Sequence, residues 1–157
     1  MIKLTDFEKY FVSKDYGGYS TCIHDGSLKN PWYKGSVLSN CVGLVWGMLN
    51  LVYGTRSNFV RISGNANQIY PKARPKGTGW LTNPNPKNFS IACYDIGDCG
   101  HVVFLLHVWR DGQAVGIESN YSGNMSNGLA LRVKFGNPKK WYKNYQGCVL
   151  GLTKWFD

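Results

Sequence analysis

The sequence predicts an α+β domain in which N-terminal helices pack on an antiparallel β-sheet. Three observations predict it. Apolar residues recur at helical spacing in the first third of the chain. From residue 91 the period changes to two. An Asp111-Gly112 pair then separates two β-rich runs, which is a hairpin signal. Helices first and strands afterwards is the order of an α+β arrangement.

Each element follows from local chemistry. Phe7, Tyr10 and Phe11 share a helical face after Thr5 or Asp6 as a cap. Residues 16–38 read as loop, punctuated by Gly17-Gly18, Asp25-Gly26 and Asn30-Pro31. A helix is expected from about Asn40 to Tyr53, with Asn40 as N-cap and Gly54 at its end. Its apolar stripe is Cys41, Val45, Leu49 and Val52. Gly43 and Gly47 lie one turn apart and suit close approach of another backbone. Residues 55–90 read as irregular, apart from a short helix at 65–70 ended by Pro71. Strands are then expected at Ile91–Tyr94, His101–Trp109, Ala114–Tyr121, Leu129–Phe135 and about Gln146–Leu152. A turn centred on Asp111-Gly112 places His101 opposite Tyr121 or Ser122.

Composition narrows the function classes. The 157 residues suit one domain, and no internal boundary is apparent. With 43% hydrophobic and 17% charged residues, neither disorder nor a coiled coil is expected. The net charge of +9 favours anionic partners: nucleic acid, anionic membrane or cell-wall polymer. No zinc-finger spacing, phosphate loop or dense basic run accompanies it, so no nucleic-acid role is expected. The N-terminus lacks the apolar core of a signal peptide, and no stretch is long and apolar enough to span a membrane. Synthesis in a reducing cytosol is expected. The five cysteines are an odd number without a Cys-x-x-Cys pair; Cys93 and Cys99 could pair, but inert thiols fit that compartment better.

The chemistry centres on Cys41. A thiol at a helix start meets the partial positive charge of the helix N-terminus, which favours thiolate. The opposing structural explanation is a small buried residue, because free cysteines are among the most buried types. A cysteine nucleophile needs a base and a group that orients it. Of three histidines, His24 lies in a Gly-rich loop, His107 in mid-strand, and His101 at a strand start where a site can form. Glu118 and Asn120 are two apart on the partner strand, and either could accept a hydrogen bond from the imidazole. Taken singly, each has an ordinary explanation as core or solvated surface. Asn40 could touch substrate, although capping is simpler. Trp32, Tyr33, Trp80 and Trp141 could line a substrate groove, although core packing explains most aromatics.

Several stretches carry a family resemblance. They are the loop Gly17-Gly18-Tyr19, then Ser39-Asn40-Cys41-Val42-Gly43-Leu44-Val45-Trp46-Gly47, Pro86-Lys87-Asn88-Phe89-Ser90-Ile91-Ala92-Cys93-Tyr94, Cys99-Gly100-His101-Val102-Val103-Phe104, Ile117-Glu118-Ser119-Asn120-Tyr121, and Gln146-Gly147-Cys148-Val149-Leu150-Gly151. In this order the chain resembles the CHAP domain, the cysteine- and histidine-dependent amidohydrolase/peptidase module of phage endolysins and bacterial wall hydrolases. The resemblance covers about residues 16–152.

The resemblance implies a papain-like fold and cleavage of a peptidoglycan amide, as a muramoyl-alanine amidase or a stem or cross-bridge endopeptidase. It implies Cys41 as nucleophile, His101 as base, Glu118 as orienter of the imidazole and Asn120 as a polar support. Asn40, Trp80 and Trp32 are the expected substrate contacts. Some phage members hold calcium through an Asp-rich loop before the nucleophile. Residues 30–40 contain no Asp or Glu, so no calcium or other cofactor is expected. The expected partner is peptidoglycan, with anionic wall polymers as a further one, and the expected state is a monomer. A single catalytic domain without a separate wall-binding domain is expected, made in the host cytoplasm and acting on the wall after release. The alternative is a non-catalytic wall-binding or structural module of similar fold.

Overall fold

The computed structural model describes residues 64–118 and 132–150, together with residue 62 and helical positions 41, 42, 44, 45, 48 and 49. Six strands form one antiparallel sheet: β1 (Leu81–Asn83), β2 (Ile91–Tyr94), β3 (His101–Val108), β4 (Ala114–Glu118), β5 (Arg132–Gly136) and β6 (Tyr145–Leu150). Their spatial order is β1-β6-β2-β3-β4-β5. Among the described residues, and besides the helical positions at 41–49, two short helices accompany them, α1 (Ala66–Ala73) and α2 (Pro138–Trp141).

Both sheet faces are covered, so β2 is buried at every position. One face sends Ile91, Cys93, Val102, Phe104, Ile117 and Val149 into the main core. Cys41, Leu44, Val45, Met48 and Leu49 meet them there. These five recur at i, i+3, i+4, i+7 and i+8, the stripe of a helix buried on one side. The opposite face carries Ala92, Tyr94, Val103, Leu105 and Ala114, covered by Trp141, Tyr142 and Tyr145.

The described strands follow the expected alternation; α2 is an element the sequence did not predict, and three further local features differ. The first is β1, in a stretch expected to be irregular. It has three residues, pairs only with β6 and is stopped by Pro84, too short to show a period. The second is α1, which continues past Pro71 to Ala73. A proline inside a helix leaves the carbonyl four residues earlier without its N–H partner. Here that carbonyl is Asn67 O, and Gln146 Nε2 on β6 donates to it at 3.1 Å. A tertiary hydrogen bond thus replaces the lost helical one and fastens α1 to the sheet.

The third is the β3–β4 hairpin. Trp109 N donates to Gln113 O at 2.8 Å and Gly112 N to Trp109 O at 3.0 Å. Gly112 has φ +85°. This is a three-residue loop ending in a left-handed glycine, a common alternative to the two-residue turn. A bulge between Leu105 and His107 shifts the register again, and Phe104 pairs with Ile117. Glu118 therefore lies closer to the His101 end of β3 than the two-residue turn implies.

α1 also fixes the turn before β3. Asn67 N donates to Cys99 O at 3.0 Å, and Asn67 Nδ2 to Asp95 Oδ1 and Asp98 O at 3.2 Å each. Gly100 has φ +76°, and a Cβ there would lie 2.4 Å from Asn67 N. Only glycine satisfies both the backbone angle and this approach. Gly97 has φ +59° with nothing within 4 Å of a Cβ, so it shares the angle without the crowding. Gly100→Ala is accordingly expected to lose roughly 1–3 kcal/mol more stability than Gly97→Ala. Denaturant unfolding of the two variants measures the difference, and equal losses would show that α1 does not constrain the turn.

Candidate functional site

The site forms where the helical positions starting at Cys41 meet one end of the sheet. Cys41 is 8% exposed and His101 4%. His101 is the first residue of β3, held there by the Gly100 turn. His101, Val103 and Leu105 alternate onto the sheet face away from the main core. Glu118 closes β4 and points to that same face. Its side chain is fully buried.

These elements bring three predicted residues together. His101 Nε2 lies 2.8 Å from Glu118 Oε2. Cys41 is the other neighbour of the His101 ring, close enough to favour its charged form. With one ring nitrogen on Glu118, Nδ1 is the nitrogen left for the thiol.

The electrostatics follow from these contacts. Burial by itself disfavours the charged imidazole. The interactions with Cys41 and Glu118, and the charges of both groups, outweigh it and raise His101 from 6.5 to about 9. The imidazolium is thus the favoured form at neutral pH. The other buried thiols have a different environment. Burial pushes Cys93 well above its ordinary value, reinforced by Cys148 and Cys41. Burial likewise raises Cys148 to about 11. Among the described cysteines, Cys41, Cys93, Cys99 and Cys148 are all free thiols.

A fourth residue joins the arrangement that the sequence reading did not single out. Tyr142 directs its hydroxyl at both Glu118 oxygens, at 2.9 and 2.8 Å. Its single proton is shared between them. Its ring stands edge-on to the His101 ring, with centroids 5.0 Å apart. Tyr142 thus touches both members of the pair.

Tyr142 is placed by a chain of specific contacts. Asn137 Oδ1 accepts from Lys139 N at 3.0 Å and caps α2, with Pro138 in the first turn. Tyr94 Oη donates to Pro138 O at 2.6 Å, tying α2 to β2. Trp141 lies over Gly116, where a Cβ would come within 3.0 Å of the indole ring. Trp141 Nε1 donates to Phe135 O at 3.2 Å. The next residue, Tyr142, then falls over Glu118. A weak signal existed in the sequence: the Asn137-Pro138 cap predicts a helical turn, but not which aromatic turns inward.

The other expected site residues are placed as follows. Trp80, expected to touch substrate, is 8% exposed and belongs to the main core with Cys41. Core packing accounts for its position. Trp141 is half-buried and covers β4 and β5. Asn40, Trp32 and Asn120 lie outside the described residues, as does Tyr33. Among the described residues, no group of three or more His, Cys, Asp or Glu side chains could hold a metal ion.

Comparison with known proteins identifies a family. A search of curated proteins gave no match. The family model for the CHAP domain matches residues 31–120, more than half of the chain, and that span contains Cys41, His101 and Glu118. By that match, the chain belongs to the CHAP domain family.

Proposed function

We propose that this protein hydrolyses an amide bond of bacterial peptidoglycan through a thioester on Cys41. CHAP domains are typically cysteine- and histidine-dependent amidohydrolases that act on peptidoglycan. The observation that carries the reading to these residues is the hydrogen bond of His101 to Glu118 Oε2 at 2.8 Å, with Cys41 near enough to the same ring to favour its charged form. Cysteine catalysis needs this relation: a base in reach of the sulfur, itself held by a third group.

The proposed reaction has two halves. In the first, Cys41 Sγ attacks the amide carbonyl as thiolate, and the carbonyl oxygen becomes an oxyanion. The backbone N–H of Cys41 is the proposed donor to it. The imidazolium of His101 gives its Nδ1 proton to the departing amine, and the C–N bond breaks to leave a thioester. In the second, neutral His101 takes a proton from water as the water attacks the thioester carbonyl. The C–S bond breaks, the carboxylic acid product leaves and gives its remaining proton to solvent, Cys41 regains the thiolate and His101 the imidazolium. Glu118 holds the ring so that Nδ1 faces the sulfur and stabilises its positive charge. Tyr142 is a positioning residue acting through Glu118. A phage or prophage lysin is the proposed biological setting, with release to the wall after cytoplasmic synthesis.

Purified Gram-positive walls provide the direct test. The wild-type chain is expected to clear a wall suspension and Cys41→Ala to leave it turbid. Equal clearing by both would remove Cys41 from the reaction. No clearing of walls from diverse species would point to the non-catalytic alternative. Mass spectrometry of the released fragments identifies which amide is cut. Glu118→Gln is expected to lower kcat about 10²–10⁴-fold while the chain stays folded.

The raised His101 makes a second prediction. The group gains a proton on folding, so its contribution to stability is complete below its unfolded value of 6.5 and disappears as pH rises through about 9. Unfolding free energy should therefore decline across that window, and kcat/KM should have an alkaline limb with a midpoint at about 9. Proton NMR of His101 should titrate at the same point. A midpoint near 6.5 would contradict the ion pair.

Tyr142→Phe separates positioning from packing. The ring remains and only the hydroxyl is lost. Glu118 then loses a donor in a buried place, which costs about 1–3 kcal/mol of stability. The NMR midpoint of His101 and the alkaline limb should both move. A stability loss with both midpoints unchanged would make Tyr142 structural only. Iodoacetamide near neutral pH should label Cys41 before the remaining cysteines, and uniform labelling would contradict an activated thiolate.

A further inference from the structure

The end of the sheet far from His101 carries a second concave region. β3 spans 8 residues from His101 to Val108. At about 3.3 Å per residue its two ends lie over 20 Å apart. A cavity of about 810 Å³ opens at the Val108 end, between residues 83–88, residues 108–112 and the start of α2. It is separate from Cys41, His101 and Glu118.

Its chemistry is cationic and amide-rich. Lys87, Arg110 and Lys139 line it against one carboxylate, Asp111. That carboxylate already accepts from Gln113 N at 3.0 Å within the hairpin loop. The walls are braced rather than loose. Lys139 Nζ donates to Asn85 Oδ1 at 2.7 Å, joining the start of α2 to the segment after β1. Val108 N donates to Asn88 Oδ1 at 2.6 Å, joining that segment to β3. Trp109 belongs to the lining and is 49% exposed, an unusual degree for the largest apolar side chain. Its ring stands edge-on to His107 at 4.6 Å, which limits its orientation.

We propose that this cleft binds a wall polymer of polyol-phosphate or sugar-phosphate units and holds the chain on its substrate while the distant Cys41 end acts. Cations spaced around one cavity suit phosphodiesters in succession, amides suit hydroxyls, and an exposed indole suits the C–H face of a polyol or sugar. The volume lies in the range of ligand sites and accommodates a few such units. The choice of a wall polymer over other polyanions rests on the proposed peptidoglycan activity. The placement of the site rests on the cleft alone.

Binding of a poly(glycerol phosphate) oligomer to the full chain tests it, with a single-stranded oligonucleotide of equal phosphate number as competitor. Lys87→Ala/Arg110→Ala removes two cations from the cleft. Arg74→Ala/Lys76→Ala removes two exposed cations outside it, so the two double variants carry the same net charge, two below wild type. The cleft variant is expected to bind the oligomer about tenfold or more weakly with a salt slope lower by about 1–2, and the outside variant to bind within about twofold of wild type. Cys41→Ala should bind like wild type, and the cleft variant should cleave short soluble wall peptides at the wild-type rate. Equal weakening by both double variants would reduce the effect to overall charge and overturn the proposal. So would absence of oligomer binding by the wild-type chain. Tighter binding of the oligonucleotide, lost in the cleft variant, would replace the wall polymer with nucleic acid. Oligomer binding as expected with no wall cleavage by wild type would leave the cleft and remove only the proposed activity.

Discussion

The contact between His101 and Glu118 is the constraint on which the rest of this site depends. Glu118 is fully buried and His101 nearly so. A buried carboxylate is costly unless it is paired and hydrogen-bonded. Here the imidazole and the Tyr142 hydroxyl both face it. Removing one partner would expose the other to the full cost of desolvation. The pair therefore demands its surroundings: a β3 start held by the Gly100 turn, a β4 end brought opposite by the hairpin, and an aromatic cover that supplies a proton.

That demand explains features that are otherwise unconnected. Asn67 on α1 binds the turn at residues 95–99, and a glycine must follow because α1 comes so close. Gly116 lacks a side chain where Trp141 lies, and Trp141 brings Tyr142 over Glu118. Pro71 frees a carbonyl that Gln146 occupies, keeping α1 against β6. Each contact has modest energy, but together they determine where one imidazole stands. With its Nε2 engaged, the same ring presents its remaining nitrogen to Cys41. A buried polar network that is fully satisfied can be rigid in this way, and rigidity is what orientation of a base requires.

Much of this was legible in the sequence, for identifiable reasons. The strands showed themselves through alternation, and Cys41, His101 and Glu118 mostly through the family resemblance, with residue type at the starts and ends of elements as support. Sequence periodicity reports burial on one face, so it showed that Cys41 lies on a packed helical stripe. It could not distinguish a core tryptophan from a groove tryptophan, and Trp80 packs in the same cluster as Cys41. Tyr142 was hidden because its role arises from tertiary placement: α2 is only four residues long, with no period to read. β1 was hidden for the same reason. Pro71 was read as a helix end because the compensating donor, Gln146, lies far along the chain. The hairpin was misread by a residue because Asp-Gly serves both two-residue and three-residue loops, and the choice depends on strand twist and the bulge beyond.

The central claim is that a carbonyl carbon becomes bonded to Cys41 Sγ during turnover. Rapid acid quenching of the protein mixed with soluble wall fragments, followed by peptide mapping in a mass spectrometer, observes that bond. An acyl adduct is expected on the peptide containing Cys41, formed in wild type and absent in Cys41→Ala. Turnover of the same fragments with the adduct on another residue, or with Cys41→Ala equally active, would contradict it.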